Sequence, residues 1–180
     1  MQRRDGFTLV ELLIVIAIIG IIAAVAAPGL LRSRQSGNEA SAIGSLRAIS
    51  SAEAAYAASC GGGGYATTLA ALALAPSGGI AFISLDLATA NVAPGKSGYL
   101  VNVARGAGGA NVLAAANTCN RAATASRTNF HATAVPITVG TTGQRSFATN
   151  QDGAVYQNRR GTAIGNANPI ATNNNVSLLQ

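Results

Sequence analysis

Acidic side chains are scarce in this sequence: six Asp and Glu among 180 residues, against twelve Lys and Arg. There is one histidine and no tryptophan, and only 10% of residues are charged. Beyond the long helix expected at the N-terminus, Asp86 and Asp152 are the only carboxylates, which leaves general acid-base catalysis poorly supplied. His131 has no evident carboxylate or nucleophile partner and reads as a structural or surface residue. A zinc site needs three or four ligands, and Cys60, Cys119 and His131 are the only soft candidates, with no short spacing between them. Gly95-Lys96-Ser97 ends like a phosphate-binding loop, but Ala90 stands where such a loop needs glycine. Gly106, Gly108 and Gly109 do not complete a dinucleotide fingerprint. The composition therefore predicts no enzyme, no cofactor and no metal site.

What the sequence does have is apolar surface and small residues: 49% hydrophobic, with 21 glycines and long tracts of Ala, Thr, Ser and Asn. The length suits one packed head with an added element, and is short for two ordinary domains. The net charge of +6 is carried almost wholly by arginine. If Arg121, Arg127, Arg145, Arg159 and Arg160 gather on one face they offer a surface to nucleic acid or anionic glycans, although no aromatic interleaving or groove-entering motif accompanies them. Cys60 and Cys119 are an even pair in a chain that leaves the cytoplasm, which suggests one disulfide worth about 4 kcal/mol by loop closure. Two buried thiols are the alternative.

The first thirty residues decide the compartment. Phe7 to Leu31 is an apolar run of 25 residues interrupted only by Glu11. As a helix it rises roughly 37 Å, enough to cross a bilayer core of about 30 Å. Arg3 and Arg4 precede it, which orients the N-terminus to the cytoplasm and the head outward. Three readings compete: a signal peptide cut at Ala24-Val25-Ala26, a plain signal anchor, or a precursor cut ahead of the apolar run. Glu11 separates them, because a carboxylate in that position costs about 2.5 to 3.5 kcal/mol on insertion scales and serves neither of the first two. Cutting after Gly6 gives Phe7 a free cationic amine one helical turn from Glu11, from the same or a neighbouring subunit.

Arg3-Arg4-Asp5-Gly6 followed by Phe7-Thr8-Leu9-Val10-Glu11-Leu12 resembles the leader and cleavage site of type IV pilins and type II secretion pseudopilins. The resemblance implies a membrane precursor cut after Gly6 and methylated at the Phe7 amine by a prepilin peptidase/methyltransferase. It further implies a homo-oligomeric helical filament built with pilus or secretion assembly machinery, in which Glu11 neutralises the Phe7 amine of an adjacent subunit. Pro28 falls where these families place a helix-breaking proline. The implied course runs from the inner membrane, N-terminus cytoplasmic, to an extracellular pilus. A periplasmic pseudopilus is the alternative, but major pseudopilins typically carry an acidic calcium-binding C-terminal loop, and here Asp152 is the only acid near it.

The rest of the chain reads as an α+β fold: one long N-terminal helix, hydrophobic in its first half, on a small antiparallel sheet. Apolar residues recur at Ala42, Ile43, Leu46, Ile49 and Tyr56, continuing the helix to about Ser59, with Gly20, Pro28 and Gly29 as weak points. Cys60 and Gly61 to Gly64 end it. A short helix is expected in Thr67 to Ala75, and strands in Tyr99 to Val103 and Phe130 to Val139, with a hairpin over Arg145 to Tyr156 turning at Asp152-Gly153. That supplies three or four strands, and Arg105 to Thr128 fits no single state. Ala134 to Phe147 and Asn150 to Gln157 also resemble the C-terminal sheet of short pilin-like proteins. The expected divisions are a leader at 1–6, a membrane and filament-core helix at 7–31 and its amphipathic half at 32–60. A connecting αβ loop follows at 61–98, then the sheet at 99–164 and a flexible tail or loose surface strand at 165–180.

Overall fold

A computed structural model describes residues 7–179 and divides the chain into two units, Met1–Arg34 and Gln35–Gln180. Helix α1 runs from Leu9 to Ser59, passing through Gly20, Pro28 and Gly29 without a break. In the first unit it is apolar on every side, and Leu9, Ile16, Ile22 and Val25 are all more than half exposed. A helix apolar all round has no single face to turn inward, which suits lipid or a bundle of like helices. By length and composition it is able to cross a membrane. Proline at position 28 withholds the amide that the Ala24 carbonyl would accept, and in the next turn Ser33 Oγ donates to the Gly29 carbonyl at 3.1 Å.

In the second unit, α1 turns amphipathic. Ala42, Leu46, Ile49, Ala52 and Tyr56 are buried at three- and four-residue steps, as the periodicity requires. They share a core with Tyr99, Val101, Val103, Phe130, Ala132, Ala134, Phe147 and Val155 of the sheet. The helix ends as expected at the glycine run: the Gly63 amide donates to the Ala57 carbonyl at 2.9 Å and Gly62 has φ 63°. Gly64 must lack a side chain, because a Cβ there would lie 2.7 Å from Ser126 Oγ.

The sheet is an antiparallel meander in the order β1 (Tyr99–Arg105), β2 (Phe130–Pro136), β3 (Ser146–Asn150), β4 (Val155–Asn158), β5 (Val176–Leu178). The β3–β4 hairpin turns at Asp152-Gly153, with Gly153 at φ 73° and Thr149 opposite Val155. Helix α2 is Leu69–Ala73, capped by Thr68 Oγ1 accepting the Ala71 amide, and lies inside the segment expected to be helical. A second short helix, α3 (Leu85–Ala88), and a 3-10 turn at Ala115–Asn117 had no clear sequence signal.

The largest departure is at the C-terminus. Val176–Leu178 pairs with β4, giving five strands where three or four were expected. The preceding segment is not loose: Ile164, Ile170 and Val176 form a second buried cluster with Ala148, while Phe147, the neighbouring residue on β3, enters the main core. Thus β3 is buried on both sides, which is why every one of its residues is inaccessible.

Candidate functional site: the N-terminal segment and the acids of the head

The first turn of α1 is organised around Glu11. Its Oε2 accepts the Thr8 amide at 3.0 Å and the Thr8 hydroxyl at 2.7 Å, and Thr8 Oγ1 accepts the Glu11 amide at 3.2 Å. The Thr8 carbonyl receives the Leu12 amide at 3.3 Å, so Thr8 is the N-cap and Glu11 the third helical residue. This is a reciprocal capping box, in which two otherwise unpaired helix-terminal donors find acceptors. Sequence reasoning had paired the Glu11 carboxylate only with a new amine at Phe7. Within one chain Thr8 already holds it, and the Thr-x-x-Glu spacing was the signal. Phe7 is 80% exposed. Gly6 and the leader lie outside the described residues. Pro28 is within the helix, 17 positions beyond Glu11.

Cys60 and Cys119 form a disulfide that ties the end of α1 to the irregular segment after β1. That segment, which fitted no single state in the sequence, is held by backbone bonds instead of a regular element. Arg127 pairs with Tyr65 and Asn111, and the Val112 amide donates to the Ser126 carbonyl at 3.0 Å.

Two acids of α1 that the sequence reading passed over occupy its buried face. Glu39 Oε1 accepts the Gln144 and Arg145 amides at 2.9 and 3.0 Å, and Oε2 accepts Arg145 Nε at 2.9 Å and Nη2 at 2.6 Å. Burial works to raise the Glu39 carboxyl, but the Arg145 guanidinium and the two amides outweigh it and hold the group below its ordinary range. Arg145 is thereby committed to the helix–sheet junction and unavailable to an arginine surface.

Glu53 is fully buried. Its Oε2 accepts the Ala66 amide at 2.7 Å, while Oε1 and the Tyr56 hydroxyl have no hydrogen-bond partner among the described residues. Burial pushes the Glu53 carboxyl up to about 8 against the pull of the Ala66 amide, so it is protonated at neutral pH. The spacing of Glu39, Leu46, Glu53 and Tyr56 on one helical face was the available signal. His131 is buried with Nε2 3.2 Å from the Ile164 carbonyl; burial lowers its imidazole and that contact opposes the shift. Lys96 pairs with Asp86 of α3 at 2.6 Å, and the Asn150 side chain donates through Nδ2 to Asp152 Oδ2 at 2.9 Å across the β3–β4 turn, each a local tie.

The architecture is therefore that of a chain with an apolar N-terminal helix, a capped acid in its first turn, and a disulfide-tied α+β head. Residues 1–27 match the family model for the prokaryotic N-terminal methylation motif. The chain is 59% identical over 39 residues to the type IV wide pilus major component PilA4 of Thermus thermophilus, covering 22% of this chain and 30% of that protein. It is 41% identical over 54 residues to the type IV major pilin protein PilA of Myxococcus xanthus, covering 30% of this chain and 24% of that one. The matched segments thus span less than a third of either relative. No solved structure matches the chain. These similarities support the type IV pilin family for this chain and rest on its N-terminal segment.

Proposed function

We propose that this chain is a structural subunit of a type IV pilus-like filament. It is inserted in the inner membrane as a precursor with the N-terminus cytoplasmic, and is then trimmed by hydrolysis of the Gly6–Phe7 amide. The new Phe7 amine takes a methyl group from a methyl donor, and the subunit polymerises through α1 into a surface fibre. The observation that carries this reading is the acid at position 11, placed inside the N-terminal methylation motif and held in the first turn of a helix whose first half is otherwise apolar.

The physical logic follows from what α1 exposes. Leu9, Leu12, Leu13, Ile16, Ile19 and their neighbours would be covered by like helices in a fibre core, and each Å² of apolar surface kept from water contributes about 25 cal/mol. Apolar packing alone sets no register, because sliding one helix along another exchanges one aliphatic contact for a similar one. A carboxylate in the same dry core does set one: it is tolerated opposite a cation and costly elsewhere. The Thr8 bonds fix its rotamer, and the Phe7 amine of an adjacent subunit supplies the charge. The role is structural, with the head forming the outer surface.

The test is Glu11→Ala. The variant is expected to insert and to be processed normally, yet to yield few filaments by electron microscopy of sheared cell-surface fractions. Filaments of normal number and length would refute the pairing role.

A further inference from the structure

Arg105, at the end of β1, lines two neighbouring cavities of about 380 and 430 Å³, sizes in the range that holds a small ligand. The first is also lined by Thr67, Thr124 and Arg127, and the second by the backbone of Gly106 to Gly109 and by Asn166. Neither arginine takes part in the salt bridges of the described residues, and no carboxylate lines either cavity. The Arg127 guanidinium is held by the Gly109 carbonyl, Nη1 to oxygen 3.2 Å, so it reaches from the first cavity to the rim of the second.

The rim is built before any ligand arrives. Asn166 Oδ1 accepts the Ala107 amide at 2.9 Å and its Nδ2 donates to the Arg105 carbonyl at 2.7 Å, while Asn129 Nδ2 donates to the Ala107 carbonyl at 2.8 Å. Gly109 has no room for a side chain, since a Cβ there would overlap Asn129 Oδ1. A loop fixed in this way loses little freedom when something binds it. In the first cavity the Thr67 hydroxyl donates to that of Thr124 at 3.0 Å, leaving the Thr124 proton and lone pairs on both oxygens for a polar ligand.

We infer that the paired cavities around Arg105 and Arg127 form a binding site for an acidic polysaccharide, the guanidiniums taking the sugar carboxylates and the threonine hydroxyls and glycine-loop backbone taking sugar hydroxyls. Guanidinium recognises carboxylate through two parallel N–H donors. Single-stranded nucleic acid is the other polyanion to consider, but it is gripped by aromatic side chains stacked on its bases, and no aromatic residue lines either cavity. The site is independent of the filament reading, because it lies wholly in the sheet-bearing unit.

The experiment is fluorescence-anisotropy titration of the full chain in detergent micelles with labelled oligogalacturonate, with labelled maltoheptaose and oligothymidylate in parallel. Binding of the galacturonate is expected to exceed that of the other two and to weaken as salt is raised. Arg105→Glu should weaken it about ten-fold or more, whereas Arg47→Glu, the same charge change on an exposed position of α1 outside both cavities, should alter it by less than about three-fold. The Arg105 side chain makes none of the hydrogen bonds of the described residues, so the substituted head should unfold at the native temperature; Arg105→Gln provides a milder second variant. Unchanged galacturonate affinity in both Arg105 variants, an equal loss in Arg47→Glu, or tighter binding of maltoheptaose or oligothymidylate would overturn the assignment.

Discussion

Replacing Glu53 by glutamine should remove a strong pH dependence from the stability of the head. In the folded chain this carboxyl keeps its proton up to about pH 8, whereas the unfolded chain releases it near the ordinary 4.5. Below the lower value both states are protonated and the contribution of the buried acid is complete. Between the two values folding must take up a proton, so stability falls as pH rises, by about 1.4 kcal/mol per pH unit. The loss is finished once pH passes about 8, and over the whole interval amounts to something on the order of 5 kcal/mol. Glutamine retains an acceptor for the Ala66 amide and carries no titrating proton. Glu53→Gln should therefore unfold close to the native chain at pH 5 and be more stable by on the order of 4 kcal/mol at pH 9. Urea unfolding of the full chain in detergent micelles, followed by tyrosine near-ultraviolet circular dichroism at several pH values, reads this directly. Other titrating groups cancel in the difference between the two proteins. A difference that stays constant from pH 5 to pH 9 would refute the reasoning.

Glu39→Ala leaves four donors of Gln144 and Arg145 without their acceptor, and should cost about 2 to 4 kcal/mol of head stability in the same assay. Because the Glu39 carboxyl titrates below its ordinary range, its contribution is present at neutral pH and lost as pH falls through the acid region; Glu39→Gln should flatten that acid limb. Replacing both Cys60 and Cys119 by serine opens a loop of 59 residues and should lower stability by about 4 kcal/mol; reductant should destabilise the native chain by a similar amount and leave the double-serine variant unchanged.

How much of this was legible depended on how local each feature is. Gly6 to Leu12 is read within seven residues, and an acid in an apolar run needs a partner wherever the rest of the chain goes. The long helix followed from the apolar run of Phe7 to Leu31 and the helical periodicity that begins at Ala42, and the β3–β4 hairpin from the turn chemistry of Asp152-Gly153. The buried acids were missed because their partners are remote: Glu39 meets Arg145 across 106 positions, and nothing near Arg145 marks it as a core-facing cation. The C-terminal segment, expected as a flexible tail or a loose surface strand, was read only in part for a related reason. Its Asn-rich composition predicts looseness, yet Ile164, Ile170 and Val176 are spaced to cover the second face of β3, a face that exists only once the sheet has formed. At the N-terminal site the Thr8–Glu11 capping box was legible, since Thr-x-x-Glu spacing alone sets each side chain against the other's backbone amide in a first helical turn.

In the proposed filament, processing creates the cation that Glu11 requires. Mass spectrometry of the N-terminal peptide from the mature protein in its native host tests it most directly. The expected peptide begins at Phe7 and carries one methyl group on its amine. A peptide that still begins at Met1, or one that begins at Ala27, would contradict the account.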